Sequence, residues 1–361
     1  MKVMTVLGTR PEIIRLSLVI ERLDALCEHV LVHTGQNDDA RLSEVFFAEL
    51  AIRSPDHRLD IGARSFGEQV GAILAATERL IRDERPDRFL VLGDTNSGLA
   101  ALVACRLGVP VYHMEAGNRC YDDRVPEEIN RRVIDHSSTV LMPYTERSRL
   151  NLLREGFPGE RVHVTGNPIH EVLSRHAARI EASGVLGDLG IRADEYFLVT
   201  VHRQENVDVP TRLASLLRGL DRLAAEYGWP VICSLHPRTA ARLRESGLAP
   251  SDPRVRLLAP FGLFDFVALE RRAFCVLSDS GTVQEECCIL KVPSVTLRDV
   301  TERPETVERG STVLSGVEPE AMARAVRAMR AGPPSWTAPP EYLAPAVSVA
   351  AARIVLGHLP R

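Results

Sequence analysis

Three carboxylates in the first half of the chain stand where a proton could be moved. Asp94 follows the apolar run RFLVLG, Glu115 follows VPVYHM, and Glu127 follows Pro126 at the expected start of a helix. Ends of neighbouring strands lie within one or two spacings of about 4.8 Å, so Asp94 and Glu115 can share a site. An acid and a base working on one substrate need such a cluster, with surroundings that push their pKa values apart. The plainer account of this charge is a salt-bridged, solvated helix. Glu127–Arg131 and Glu128–Arg132 have the i,i+4 spacing for it. That account suits Glu128 and Arg132. It suits Asp94 and Glu115 badly, because both follow buried strands. Cys120 lies nearby, but no local pattern marks it as an activated nucleophile.

The second half offers groups for an anion. In SDSGTVQEECC an apolar run ends at Ser278 and a helix is expected from about Thr282. Gly281 lets backbone approach a ligand, and free N–H groups at a helix start favour phosphate. The alternative is that Ser280 or Thr282 only caps the helix. In GTRPE, Arg10 follows a strand, and Pro11 suits a first helical turn because its missing N–H costs nothing there. Arg10 can reach a phosphate or form a surface ion pair. Arg303, in TERPE, is a further cation. Two arginines, a histidine and a helix start facing one gap would suit a diphosphate.

The elements that must hold these groups follow from periodicity. Probable strands are KVMTVL, HVLVHT, RFLVLG, VPVYHM, TVLMP and VHVTG, then YFLVTVH, PVICSLH, VRLLAP, FCVLSDS, VPSVTL and STVLSG. Amphipathic helical patterns lie between them. Strands apolar on both faces and separated by helices imply a covered parallel sheet. The class is therefore α/β, with two doubly wound domains and a boundary near residues 170–190. We place the first over 1–175 and the second over 176–340, with a terminal helix in 341–361 packing back on the first. Ligands of such sheets sit beyond the carboxyl ends of the strands. Those positions are unusually polar here, and a single cleft between the domains would explain them together.

The totals bound the rest. A chain of 361 residues exceeds what one core usually serves, and its net charge of −4 gives no sign of a nucleic acid or anionic membrane as partner. The apolar run before Gly8 is too short for a signal-peptide core, and no run could span a bilayer. Seven scattered cysteines without a C-x-x-C or Cys/His cluster suggest a reducing cytoplasm rather than disulfides or zinc. There is no P-loop and no strand-linked G-x-G-x-x-G.

The ordered set GTRPEIIRL, GDTNS, HMEAGNR, PEEINRR, TGNP, VTVHRQEN, HPR, SDSGTVQEE and TERPE resembles the non-hydrolysing UDP-N-acetylglucosamine 2-epimerases, over about residues 3–310. The resemblance implies two Rossmann-like domains in the glycosyltransferase-B arrangement. It implies reversible inversion of C2 in a UDP-linked 2-acetamido sugar, through loss of UDP to a 2-acetamidoglucal and its re-addition. No cofactor and no catalytic metal are implied, and a homodimer is. Arg10, His202, Ser280, Gly281 and Arg303 match residues around the nucleotide and its phosphates, with Thr282 and His236 beside them. Glu286 matches the residue that holds the ribose. Asp94, Glu115 and Glu127 match the acid/base carboxylates, and His202 joins them as a catalytic candidate. Arg15 stands where the family commonly has lysine.

Two departures concern the substrate. HMEAGNRC and DSGT replace the commoner H-V-E-A-G-L-R-T and D-S-G-G. HMEAGNRC with RVPEEINR looks more like the branch that makes UDP-N-acetyl-L-fucosamine from its C2 epimer. Gln36, Glu128, Arg203 and His236 match part of a site where a second UDP-N-acetylglucosamine activates several bacterial members. GQNDD and ARSFGEQ differ from the segments expected there. A glycosyltransferase of the same architecture, a hydrolysing epimerase and a catalytically silent nucleotide-sugar sensor are the rival readings.

Overall fold

Parallel strands, the central ones buried along nearly their whole length, build two sheets in the computed structural model, which describes residues 1–36, 40–61 and 65–357. Residues 37–39 of GQNDD, 63–64 of ARSFGEQ and 358–359 of the expected terminal helix lie outside the described residues. The chain divides into two units, Met1–Arg175 with Pro340–Arg361, and His176–Pro339.

In the first unit the strands are β1 (Lys2–Leu7), β2 (Glu28–His33), β3 (His57–Arg58), β4 (Arg88–Leu92), β5 (Val111–Met114) and β6 (Val140–Met142). They are ordered β3-β2-β1-β4-β5-β6, all parallel. Every residue of β4, β5 and β6 is buried, as the continuous apolar runs require when helices cover both faces. Met4, Val6, Val32, Phe89 and Val91 pack on one face with Ile73, Ala100, Ala104 and Ile134 from the covering helices.

The C-terminal segment closes this unit. Its helix, Val347–Gly357, packs on the helix Arg10–Leu26. Arg88 Nη1 donates to the Val355 carbonyl at 2.6 Å, and Glu171 accepts from the Ser348 amide and hydroxyl at 2.8 and 2.7 Å. An acidic side chain at that helix start is what its dipole favours.

The second unit has β7 (Phe197–Thr200), β8 (Val231–Ser234), β9 (Val255–Leu258), β10 (Cys275–Ser278), β11 (Ser294–Thr296) and β12 (Thr312–Leu314), ordered β12-β11-β10-β7-β8-β9. Counted from its own first strand, each unit follows the doubly wound order 3-2-1-4-5-6. The α/β class with two Rossmann-like units stands.

Two strand readings change. VHVTG is not a strand: Val162 bridges Leu141 and the His163 and Thr165 amides donate to the Leu141 and Pro143 carbonyls at 2.8 and 3.0 Å, but no ladder forms, and Gly166 at φ +87° turns the chain away. β3 was not expected, because two residues in the polar segment SPDHRLD carry no alternation. Among the described residues no helix is long and apolar enough to cross a membrane.

Candidate active site

In each unit the strand order reverses between its first and fourth strands, and ligands of open parallel sheets bind at that crevice. In the first unit these are β1 and β4, followed by Gly8-Thr9-Arg10 and Gly93-Asp94; β5 beside them leads to Glu115. In the second they are β7 and β10, followed by Val201-His202-Arg203 and Asp279-Ser280-Gly281.

Glu115 is 6% exposed and pairs with Arg15, which is 3% exposed. Asn118 Nδ2 donates to its other oxygen at 3.3 Å, and Ser148 Oγ fixes Asn118 at 2.8 Å. Arg15 also lies over the Tyr144 ring, 5.6 Å from its centroid. The arginine that stands for a lysine is thus packed against a carboxylate and an aromatic face. The Glu115 backbone is left-handed, at φ +65°. Such a conformation is costly outside glycine and clusters at functional sites.

Asp94 is clamped from the helix Pro126–His136. Arg131, 2% exposed, reaches Asp94 through Nε at 3.1 Å and through Nη2, and Glu128 through Nη1 at 2.6 Å. Asn130 Nδ2 donates to the Asp94 carbonyl at 3.0 Å. Gly93, at φ +73°, makes the turn, and a Cβ built there would lie 3.9 Å from the Glu115 carboxyl. The two carboxylates therefore flank one glycine, each held by its own arginine. Glu127 is half-buried in the first turn of the same helix.

This corrects the helix pairing expected from spacing. Arg131 bonds Glu128 and Asp94, and Arg132 pairs with Asp123 while its Nε donates to the Glu128 carbonyl at 3.1 Å. Glu128 is not on a solvated face: it is fully buried, and it also accepts from the amides of Cys120 and Tyr121 at 3.0 and 3.1 Å. Burial pushes the Cys120 thiol up to about 11, the opposite of an activated nucleophile.

Arg10 lies over Phe46, 5.7 Å from the ring centroid, and no carboxylate pairs with it among the described residues. Burial pulls its pKa below the ordinary value. A half-buried cation without an internal anion suits an anionic ligand. Beside it Glu12 completes a T-x-x-E capping box: its carboxylate accepts from the Gly8 and Thr9 amides at 3.0 and 2.8 Å and from Thr95 Oγ1 at 2.9 Å. It thereby ties the loop after β1 to the loop after β4. Gln36 is turned inward, its Oε1 accepting from the Ser97 amide at 2.9 Å.

In the second unit Asp279 is the organiser. It is fully buried and accepts from the His202 and Arg203 amides at 3.0 Å each, and from Asn206 Nδ2 at 3.1 Å. The His202 ring faces it, Nδ1 to Oδ1 3.3 Å, and lies 5.6 Å from the His236 ring. His236 caps the helix Pro237–Ser246 through Nδ1, which accepts from the Arg238 amide at 3.2 Å. Ser280 begins the helix Gly281–Leu290 without a side-chain cap, so the plain capping reading fails for it. A Cβ on Gly281 would lie 2.9 Å from Glu302 Oε1 and 3.6 Å from Arg303 Cζ. Arg303 pairs with Glu285, and Glu302 with Arg203 and Arg298. Thr282 is half-buried in the first turn; Glu286, further along the helix, is 4% exposed. Close behind it Glu270 is fully buried, and burial with the Glu286 charge raises its pKa well above the carboxylate range.

Burial opposes the Asp279 charge, but His202 and the donors around it hold the pKa down to about 2. A depressed folded pKa gives stability that is present above the ordinary value near 3.8 and lost as pH falls through 2. The amount is about 2 kcal/mol. Asp279→Asn should lower the neutral-pH urea midpoint accordingly and flatten its fall between pH 4 and pH 2.

Glu12 and Glu302 were not singled out from the sequence, and Asp279 and Arg131 were read only as a polar strand end and as the i,i+4 partner of Glu127. The capping-box spacing could have revealed Glu12; the others have partners remote in sequence. Among the described residues no group of three or more His, Cys, Asp or Glu is arranged to hold a metal ion.

The family model described as UDP-N-acetylglucosamine 2-epimerase matches residues 21–354. The UDP-N-acetylglucosamine 2-epimerase of Methanocaldococcus jannaschii is 42% identical over 347 residues, covering 94% of this chain and 95% of that one. Its crystal structure in complex with UDP-GlcNAc and UDP superposes with a TM-score of 0.95 at 40% identity, covering 99% of this chain and all of that one. A UDP-2,3-diacetamido-2,3-dideoxy-D-glucuronate 2-epimerase of Pseudomonas aeruginosa is 38% identical over 331 residues, with 91% and 92% coverage. The two switch points and these matches agree, and the chain belongs to the UDP-N-acetylglucosamine 2-epimerase family.

Proposed function

We propose that this protein reversibly inverts C2 of UDP-N-acetylglucosamine, giving the N-acetylmannosamine epimer. A carboxylate of the first unit removes the C2 proton. The C1–O bond to the diphosphate breaks, C1 and C2 become doubly bonded, and UDP departs. Return of a proton to the other face of C2, with attack of the diphosphate oxygen on C1, gives the epimer. The observation that carries this reading is the pairing of Asp94 and Glu115 around Gly93, each held by a buried arginine. The arginines favour the charged carboxylates, which is the form a base needs.

In this reading the second unit holds UDP. The uncapped start of the helix Gly281–Leu290 and Arg303 receive the diphosphate, Glu286 the ribose, and His202, oriented by Asp279, the leaving oxygen. Arg10, half-buried without a paired carboxylate among the described residues, is a further candidate cation for an anionic ligand. Losing one donor to a developing oxyanion typically costs on the order of 10²–10³ in rate. Arg15 serves by holding Glu115, and Glu127 stands as the third carboxylate. The protein is expected to act as a cytoplasmic homodimer. Gln36, Arg203 and His236 are the groups through which a second nucleotide sugar would act; the internal bonds of Glu128 give it a structural part in that site.

Incubation with UDP-N-acetylglucosamine in D₂O tests the reading. Deuterium should enter C2 and an epimer mixture should form without any acceptor, with UDP-sugar conserved. Acceptor-dependent UDP release would make it a transferase, and accumulation of free N-acetylmannosamine a hydrolase. Parallel incubations with UDP-2,3-diacetamido-2,3-dideoxy-D-glucuronate and the 6-deoxy-L-talose sugar should run slower. A faster one of these would reassign the substrate and leave the reaction in place.

A further inference from the structure

His113, the third residue of β5, is fully buried, and both of its ring nitrogens are engaged. Nδ1 lies 2.8 Å from Asp135 Oδ1, and Nε2 lies 2.8 Å from the Gly93 carbonyl oxygen. A carbonyl oxygen only accepts, and so does an ionised carboxylate. A neutral ring has one N–H and would turn a lone pair toward one of these oxygens. Asp135 is fully buried on the helix Pro126–His136, and its other oxygen accepts from the Gly117 amide at 3.2 Å and from Arg119 Nη2 at 2.8 Å. Burial opposes its charge, but His113 and Arg119 together hold its pKa below the ordinary value. Arg119 in turn meets Glu155 through Nε at 2.8 Å. Asp135 is thus held from two sides, by the His113 ring and by Arg119.

We propose that His113 stands as an imidazolium that donates from both ring nitrogens and so positions the Gly93 turn that aims Asp94. The Gly93 amide donates to the Met114 carbonyl at 3.0 Å, Asn130 and Arg131 hold Asp94 from the far side of the turn, and the Gly93 φ of +73° lies where the sheet no longer guides the chain. The His113 bond fixes the other backbone polar group of Gly93, the carbonyl of the peptide that leads into Asp94. The same ring is two residues before Glu115, so one buried cation underlies the backbone of both carboxylates. His113 is a positioning residue and does not itself touch substrate. Its catalytic consequence rests on the epimerase reading; its charge does not.

The test uses the full chain labelled with ¹⁵N histidine, with the His113 ring assigned through bonds from its own Cβ, so that no variant is needed. At pH 8.5 both ring nitrogens should be protonated, with two slowly exchanging N–H protons. A single protonated nitrogen would overturn the assignment. His113→Gln keeps a donor of similar reach but cannot serve both oxygens. Its kcat should fall on the order of 10²-fold, because small misplacements of reacting groups cost about that much, while KM and UDP affinity stay within about threefold. A folded variant with unchanged kcat would overturn the positioning role. Wild-type protein without C2 exchange but with a doubly protonated ring would sink the epimerase reading and leave the charge standing. Exchange with a singly protonated ring would sink this proposal alone.

Discussion

Asp94→Asn and Glu115→Gln should each lower epimerase turnover on the order of 10²–10⁴-fold, the usual contribution of a positioned acid or base. UDP binding should remain within about threefold of wild type, because the groups assigned to UDP in the second unit are untouched. Each amide keeps an oxygen that can accept from its arginine, Arg131 or Arg15, so the fold should persist. The readouts are steady-state epimerisation, C2 deuterium exchange and calorimetric UDP binding. Exchange without net epimerisation in one variant would identify that carboxylate as the group delivering the second proton. Near-wild-type rates in both would remove these two residues from the chemistry.

Arg131→Met should be the most damaging single change to the first unit. Arg131 is the cation between Asp94 and Glu128, and Glu128 is fully buried. Removing one partner of a buried pair typically costs about 3–5 kcal/mol, because the remaining charge is stranded. In a unit of this size that corresponds to a fall in melting temperature of roughly 6–20 °C. Glu128 keeps its two amide donors, which should hold the loss toward the lower end. The double variant Arg131→Met with Glu128→Leu should recover much of the stability, since an apolar replacement of a buried pair is often tolerated. It should not recover activity, because Asp94 has still lost its clamp. A double variant as unstable as the single one would show that Glu128 serves the fold through its amide bonds, not through Arg131. Full activity in the double variant would show that Asp94 needs no cation.

The contrast between Asp94 and Glu128 shows what the chain made legible. Asp94, Glu115, His202 and Ser280 were proposed as site residues because each follows an apolar run, and a parallel sheet delivers the residues after its strands to one edge. That rule needs only strand positions, and continuous apolar runs mark those well. Glu128 was misjudged for a related reason. The helix Pro126–His136 is strongly charged, and an i,i+4 spacing suggests a solvated face whichever way the helix is turned. Its rotation is set by what it packs on: Ile134, fully buried, meets Leu99 and Ala100 in the core, and this carries Glu128, Arg131 and Asp135 inward. VHVTG failed similarly: its composition suits a strand, but its pairing stops after two backbone bonds, to Leu141 and Pro143.

The order of apolar runs and polar ends, read along the chain, is enough for the α/β class, the strand-end candidates and the family, because all three depend on residue type and local spacing. Which cation answers which anion is not in that order. Arg15 and Glu115 lie 100 residues apart, Arg203 and Glu302 lie 99 apart, and the His202 amide reaches Asp279 across 77. These partners meet because crossover connections set β1 beside β4 and β7 beside β10, next to each other in space and far apart in sequence. Local periodicity reports the strands but carries no term for their neighbours, and the neighbours place the charges.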